Sequence, residues 1–444
     1  MKHHWVITIG ICIVLIFISS CTTPEAPPAP TSESSPTPAP AESDASLDKI
    51  TVSGHITKDE TWSGTVRITG DIVIDPGVTL TILPGTKVLF AAGSDDQHTG
   101  GEAIEYYDGK LDPSSTLDYS QSHISIDVHP GGKIIARGML ENPITFTSDS
   151  SKPNYADWEQ IYLRSGSVVE YSIVEYGRGG IIADGDVTVS HNTFGDIFWV
   201  AIVTRGSPTV THNEISSCGH GGIEAWGEGA TPVISNNVIK YSRAGIGIGF
   251  KDGVFPTIEN NTLIDNDIGI WLGSGSGGTI RGNSISAPNG APSDWGPFQG
   301  FIYKARAPRD RYEEVLGLGL MSSSPTISHN RLSQLAGGIV IEGDSSPVIE
   351  NNTITDCYNG FVFHHYSGGL PKVNKNNVYE NRYSNISQGE GGMGSIEAAN
   401  NWWGTADIRE IEANIHDYYD DPSLGKVNYE PMEDSEIANA GPTD

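Results

Sequence analysis

Asparagine recurs in one fixed context between residues 191 and 401. The pairs are His191-Asn192, His212-Asn213, Asn236-Asn237, Asn260-Asn261, Gly282-Asn283, His329-Asn330, Asn351-Asn352, Asn376-Asn377 and Asn400-Asn401. Their second members are spaced by 21, 24, 24, 22, 47, 22, 25 and 24 residues. With the 47 set aside the mean is about 23, within the range of parallel-sheet solenoids. Each unit carries three short apolar runs. In one, Gly338-Ile339-Val340-Ile341 leads to a turn at Glu342–Ser346, then Pro347-Val348-Ile349-Glu350, the Asn351-Asn352 pair, Thr353-Ile354-Thr355 and a second turn from Asp356. Strands of three to five residues separated by turns exclude an α-solenoid. Asn suits a tight bend because it tolerates left-handed backbone, and stacked Asn side chains can hydrogen-bond from coil to coil.

Composition agrees. The 53 Gly, the 5 Met and the many Val/Ile/Thr runs favour an all-β repeat. The 444 residues would suggest two or three compact domains, but elongated β architectures escape that rule. Lys and Arg number 26 against 55 Asp and Glu, a net charge of −29. That balance excludes nucleic acid as a partner, which needs a basic footprint, and broad adhesion to an anionic membrane surface.

The repeat resembles the right-handed parallel β-helix, the pectin-lyase-like fold, over residues 50–428. The run Gly70–Gly85 and Pro143-Ile144-Thr145-Phe146-Thr147-Ser148 resemble the opening coils of many secreted β-helix proteins. Asn400-Asn401-Trp402-Trp403-Gly404 resembles their close. The expected fold is all-β, a single right-handed parallel β-helix of about 13 coils, ~60 Å long. A short C-terminal capping helix is expected as well. Asp407 with Glu410 gives it a capping-box-like start, and Ile408, Ile411 and Ile415 share one face. Cys218 and Cys357 each follow their coil's Asn by five residues, but five coils apart. At ~4.8 Å per coil they lie about 24 Å from each other, beyond disulfide reach, and are expected as packed free thiols.

The N-terminus reads as an export signal. Lys2, His3 and His4 precede an apolar run from Trp5 to Ile18, too short to span a bilayer comfortably. Ile18-Ser19-Ser20-Cys21 resembles the bacterial lipoprotein cleavage box, which implies removal of residues 1–20 and acylation of Cys21. Residues 21–47 form a Pro/Ser/Ala-rich linker that cannot bury enough apolar area to fold. The expectation is a membrane-anchored, extracytoplasmic lipoprotein, at the cell surface or in the periplasm, touching the membrane only through that anchor. Residues 429–444 are expected to be a frayed acidic tail.

Alternation assigns the faces of the strand that begins each unit. Ile181, Ile202, Ile223, Ile246, Ile270, Leu318, Ile339 and Phe361 form one inward row. Ala183, Thr204, Ala225, Ile248, Leu272, Leu320, Ile341 and Phe363 form the next. Asp184, Arg205, Glu224, Trp226, Trp271, Glu342 and His364 then face outward. In pectinase-like enzymes this sheet and its loops form the polysaccharide groove, so the resemblance implies that these residues bind a sugar chain. Trp226 and Trp271 would be stacking platforms, or else pack under loops. Asp184 and Arg205 are expected to pair as ions across adjacent coils. Glycoside hydrolysis needs two carboxyls ~5–9.5 Å apart. Asp184 and Glu224 come out at about 11–12 Å, and Glu224 and Glu342 at ~19 Å. Loop carboxylates Asp252, Asp265 and Asp267 remain available.

The spacing of 47 marks an insertion of about 24 residues within 287–316, with Trp295, Phe298, Phe301, Tyr303 and Tyr312 and the bases Lys304, Arg306, Arg309 and Arg311. Such a loop over the groove could hold a polyanionic sugar through Arg–carboxylate forks. Arg306-Ala307-Pro308-Arg309-Asp310-Arg311 is similar to the Arg-x-Pro-x-x-Arg pattern of one pectate lyase family. The likeness implies Arg306 as the base and Arg311 as a substrate contact, although that family's Trp-x-Asp-His motif is missing. Cys218-Gly219-His220-Gly221 is similar to the Gly-His-Gly segment of polygalacturonases, whose other motifs are missing too. His364-His365 lacks a third metal ligand, so no metal site is assigned. The acidic segment 91–122 leaves calcium as the one cofactor to consider.

The reading that results is a monomeric protein that binds polysaccharide, acidic or neutral, through Trp226, Trp271, Arg205, Glu342, His364, Lys304, Arg309 and Tyr303. The first alternative is an enzyme. A β-eliminating polysaccharide lyase stands ahead of a glycoside hydrolase, with Arg306, Arg311 and Glu224 as catalytic candidates. A structural or adhesive surface spacer is the second.

Overall fold

The computed structural model describes residues 50–97, 123–249, 253–289, 315–365, 371–389, 391 and 394–442. Cys21, the linker, Asp252, the bulk of the acidic segment 91–122 and the aromatic and basic residues of the 287–316 insertion lie outside them. So do Tyr303, Lys304, Arg306, Arg309 and Arg311. Among the described residues no helix is long and apolar enough to cross a membrane.

Every strand pairs in parallel with the strand one coil away. The chain is therefore a right-handed β-helix with three faces. The first sheet carries Gln160–Arg164, Ile181–Asp184, Val200–Arg205, Gly221–Trp226 and their successors to Ser384–Gln388. The second runs through 14 strands from Glu60–Trp62 to Val427–Asn428. That is one coil more than the repeat count. The third carries the short strands after each Asn, such as Thr193–Gly195 and Glu214–Ser216. Near the start the ten-residue strand Thr65–Ile74 crosses a corner. Its first half pairs with Lys87–Phe90 and its second with Ser125–Val128, which joins the first and third sheets.

Both inward rows stand as expected. Ile181, Ile202, Ile223, Ile246, Ile270, Leu318, Ile339 and Phe361 are in register and buried, as is the row from Ala183 to Phe363. A column of glycines lines the inner bend before these strands. A Cβ on Gly222, Gly245, Gly269, Gly317, Gly338 or Gly360 would fall 2.4–2.7 Å from a carbonyl oxygen of the next coil. Only hydrogen fits there.

The Asn pairs divide their labour. The first member, whether His, Asn, Gly or Lys, holds the left-handed conformation at φ 55–67°. The second is buried and builds a ladder. Its backbone N–H and its Nδ2 both donate to Oδ1 of the Asn one coil on, at 2.8–3.0 Å, from Asn192 to Asn401. At Asn376-Asn377 the ladder member is the first Asn and not the second. The ladder uses Asn376, preceded by left-handed Lys375, and not Asn377.

Cys218 and Cys357 are buried free thiols in the turn from the third sheet to the first. Burial pushes both up to about 12.

The C-terminal end departs from expectation in two ways. The helix is only Ile408–Glu412. Asp407 caps it by accepting from the Arg409 N–H at 2.9 Å, but the Asp407 N–H goes to Thr405 Oγ1 and not to Glu410. Ile411 is buried, Ile408 is 44% exposed, and Ile415 belongs to a strand that continues the first sheet. Residues 429–442 are docked rather than frayed. They run back along the corner between the second and third sheets. The Glu433 N–H donates to Asn401 O, Ile437 exchanges two hydrogen bonds with the Asn377 side chain, and the Gly441 N–H donates to Asn351 O.

Candidate functional site

The outward face of the first sheet is richest in chemistry over four successive coils. Arg164, Asp184, Arg205 and Trp226 stand in one cross-coil row, which spans about 14 Å. Two residues earlier on each strand stands a second row of Tyr162, Ile182, Val203 and Glu224. Tyr162, Ile182, Val200 and Val203 make a small apolar cluster of their own on this face, with Trp199 and Trp226 packed against it. It is separate from the core inside the coils.

Glu224 is where the structure departs furthest from the sequence reading. Its side chain is 0% exposed although it points outward. His220 Nδ1 lies 2.5 Å from Oε1, and Trp226 Nε1 donates to Oε2 at 3.1 Å. Both oxygens are engaged and no water reaches them. Glu224 is therefore not an acid or base open to a substrate. It fixes an imidazole and an indole that lie at the surface. Trp199, at the corner before the strand Val200–Arg205, completes the group. Its ring centroid is 5.6 Å from Trp226, edge to face, and 5.9 Å from His220. Edge-to-face packing of this kind holds aromatic rings in place at little entropic cost.

The expected Asp184–Arg205 ion pair does not form. The two residues are in register, but Asp184 Oδ2 is taken by Arg164 on its other side and by the Tyr162 hydroxyl at 2.7 Å. Arg205 Nη1 donates instead to the Tyr162 oxygen at 3.2 Å. Its guanidinium lies 5.8 Å from the Trp226 ring and 5.9 Å from the Tyr162 ring, within cation–π range. Tyr162 thus bridges Asp184 and Arg205. Burial and the bond to Asp184 push its phenol up from the ordinary range.

The other outward candidates are not gathered here. Trp271 shares a row with Glu224 but stands two coils away, past Gly247, and its ring lies over Gly319. Glu342 and His364 are register neighbours four and five coils beyond Trp226. Asp265 is buried and receives the backbone N–H and Nδ2 of Asn289. Among the described residues no three His, Cys, Asp or Glu are placed to hold a metal ion.

Sequence reasoning missed Trp199, His220 as the Glu224 partner, Tyr162 and Arg164. Trp199 and His220 sit at the corner, where the two-residue alternation stops. Tyr162 and Arg164 precede the first Asn pair, so no repeat marker anchored their coil. Their signal was the Gln160-Ile161-Tyr162-Leu163-Arg164 alternation, which matches Ile181–Asp184.

A three-faced parallel stack with an aromatic and charged outer face defines a pectin-lyase-like β-helix protein. The model of the right-handed β-helix region matches residues 160–305 and 313–402, more than half of the chain, and the chain belongs to that family. No curated protein and no solved structure matches it.

Proposed function

We propose that this is a lipid-anchored extracytoplasmic protein that binds polysaccharide on the outward face of its first sheet, without cleaving it. The observation that carries the reading is the fixed, partly exposed pair Trp199–Trp226 beside Arg205. The flat indole face of Trp226, held by a buried carboxylate and packed edge to face on Trp199, suits the apolar face of a sugar ring, and the flanking polar groups suit hydroxyls. Binding is favoured over cleavage because Glu224 and Asp184 are both engaged. Among the described residues, Asp184 and Glu224 on these strands are then not an open carboxyl pair for hydrolysis. The anchor rests on Cys21 and the apolar run before it.

Retardation of the protein in gels containing acidic or neutral polysaccharides tests the reading. The expected result is retardation by at least one polymer, its loss in Trp226→Ala, and no new chain ends from any of them. New chain ends that disappear in Arg306→Ala would establish a lyase and overturn it. Incorporation of labelled fatty acid, lost in Cys21→Ser, tests the anchor.

A further inference from the structure

We propose that the first coil of the stack is a self-association surface, where two copies of this chain meet end to end through the open edge of the strand Ile50–Ile56. The sequence alone led to the expectation of a monomer, and this end of the stack argues against it.

Inner strands have a neighbour on each side. Among the described residues, Ile50–Ile56 pairs only with Thr65–Ile74, and Glu60–Trp62 only with Thr79–Ile82. Their outer edges present a row of backbone N–H and C=O groups to any strand that fits. Such edges are commonly blunted by Pro, Lys or an inward charge. Ile50-Thr51-Val52-Ser53-Gly54-His55-Ile56 contains none of these. Apolar surface lies open beside it, since Ile50 is 47% exposed and Val52 is only partly buried.

Three observations decide what fits there. Residues 22–47, just before the strand, hold seven prolines, which cannot supply the N–H row of a ladder. A head-to-tail neighbour finds no matching edge at the far end of the stack. The last strands there, Ile415–His416 and Val427–Asn428, are two residues each, and the helix Ile408–Glu412 seats Ile411 in the core beside them. Charge separates the two ends as well. Residues 50–70 balance Lys58 and Arg67 against Asp59 and Glu60, whereas residues 405–444 set Arg409 and Lys426 against eleven acids. In a chain of net charge −29, the neutral first coil is where two copies approach with least repulsion. Contact of first coil with first coil is isologous and closes at two.

The strand also admits the two-fold. It turns a corner at Gly54, whose φ is 89°. Ile50–Val52 lies beside Val66–Ile68 on the third sheet, and Gly54–Ile56 beside Ile72–Ile74 on the first. A two-fold axis through this corner at Ser53 lays the third-sheet half of one copy against the first-sheet half of the other. The strands then run antiparallel, with Thr51 opposite His55 and Ser53 opposite itself. Ile50 and Val52 of both copies become covered.

Sedimentation equilibrium of the purified full chain in density-matched detergent tests this, with thermal unfolding in parallel. The expected result is a concentration-dependent equilibrium of monomer and dimer. Ser53→Lys sets like charges face to face on the axis, and Ile50→Lys charges the open apolar end. Each should raise the dimer dissociation constant about tenfold with little change in Tm. Residues opposite each other in an antiparallel pair have Cα atoms about 5.5 Å apart, within disulfide reach. Ser53→Cys should therefore give a disulfide-linked dimer on mild oxidation, and Thr193→Cys, exposed in mid-stack, should not. Should Ser53→Lys fail to fold, Ile50→Lys and Ser53→Cys carry the comparison. Monomer at every concentration would overturn the inference, and so would a dimer that both Lys variants leave intact. A ladder of larger species would replace it with head-to-tail contact. Ser53→Cys linked to a different protein and not to itself would overturn the second copy as the occupant.

Discussion

Asn213 Oδ1 accepts twice from Asn192 of the preceding coil, once from the backbone N–H and once from Nδ2, both at 3.0 Å. The same double contact recurs up the stack, so each Asn is donor to one neighbour and acceptor to the other. Removing one member leaves buried donors of the preceding coil without an acceptor. Asn261→Ala orphans the Asn237 N–H and Nδ2 and should cost about 3 kcal/mol in urea unfolding. Asn260→Gly, at the left-handed position beside it, should change stability by less than about 1 kcal/mol, since Gly adopts that backbone freely.

The two thiols offer a probe of the interior. Burial raises Cys218 and Cys357 to about 12, above their ordinary value near 9. The thiolate is thus scarce in the native state at pH 8. Thiol reagents should label neither residue in the folded protein and both in urea. The sign of the linkage is fixed. With the folded value raised, the protonated thiols contribute stability in full below about pH 9, and it is lost as pH rises toward 12.

A buried carboxyl sets a second pH dependence. Glu159 accepts from Arg178 through Oε1 while Oε2 has no partner, and both side chains are almost wholly buried. Burial, with Asp127 and Asp71 adding like charge, pushes the Glu159 carboxyl up to about 8. Its folded value exceeds the unfolded one, so its stabilisation is complete below about pH 4.5 and is lost as pH rises through about 8. Chemical unfolding between pH 5 and 8.5 should show this decline, and Glu159→Gln should flatten it. Arg178→Met, which leaves the buried Glu159 carboxyl without its partner, should cost about 1–3 kcal/mol below pH 8.

The docked tail should act as a strap. Deleting residues 433–444 removes the bonds of Ile437 to Asn377 and of Gly441 to Asn351. Water replaces part of what is lost, so the expected cost is about 1–2 kcal/mol. Hydrogen exchange should quicken around Asn351–Asn377 and stay unchanged near Asn213.

The inward rows were legible because an alternation of two, repeated every coil, leaves one register that buries every Ile and Leu. The slip at Asn376 has an equally plain cause. Two adjacent Asn look alike in sequence, and only the left-handed backbone at Lys375 tells which one enters the ladder. The outer face was less legible. Glu224 was correctly placed pointing out, but alternation reports direction and not cover. Its burial depends on His220, four residues earlier across a corner, and on the Trp226 indole folding back. The Asp184–Arg205 pairing failed because Asp184 has a cation on either side and only one is taken.

The insertion between Ser286 and Leu316 leaves the stack on either side unperturbed. Ile270 still meets Leu318, and Ser284 still meets Arg331, as though no residues intervened. Corners of this molecule are thus ports at which sequence can be added without renegotiating the neighbouring coils, whereas the glycine-lined inner bend admits not even a methyl group. Framework and ornament are separable in such a chain. New chemistry can be grafted over the first sheet one loop at a time, while the framework itself changes length only by whole turns.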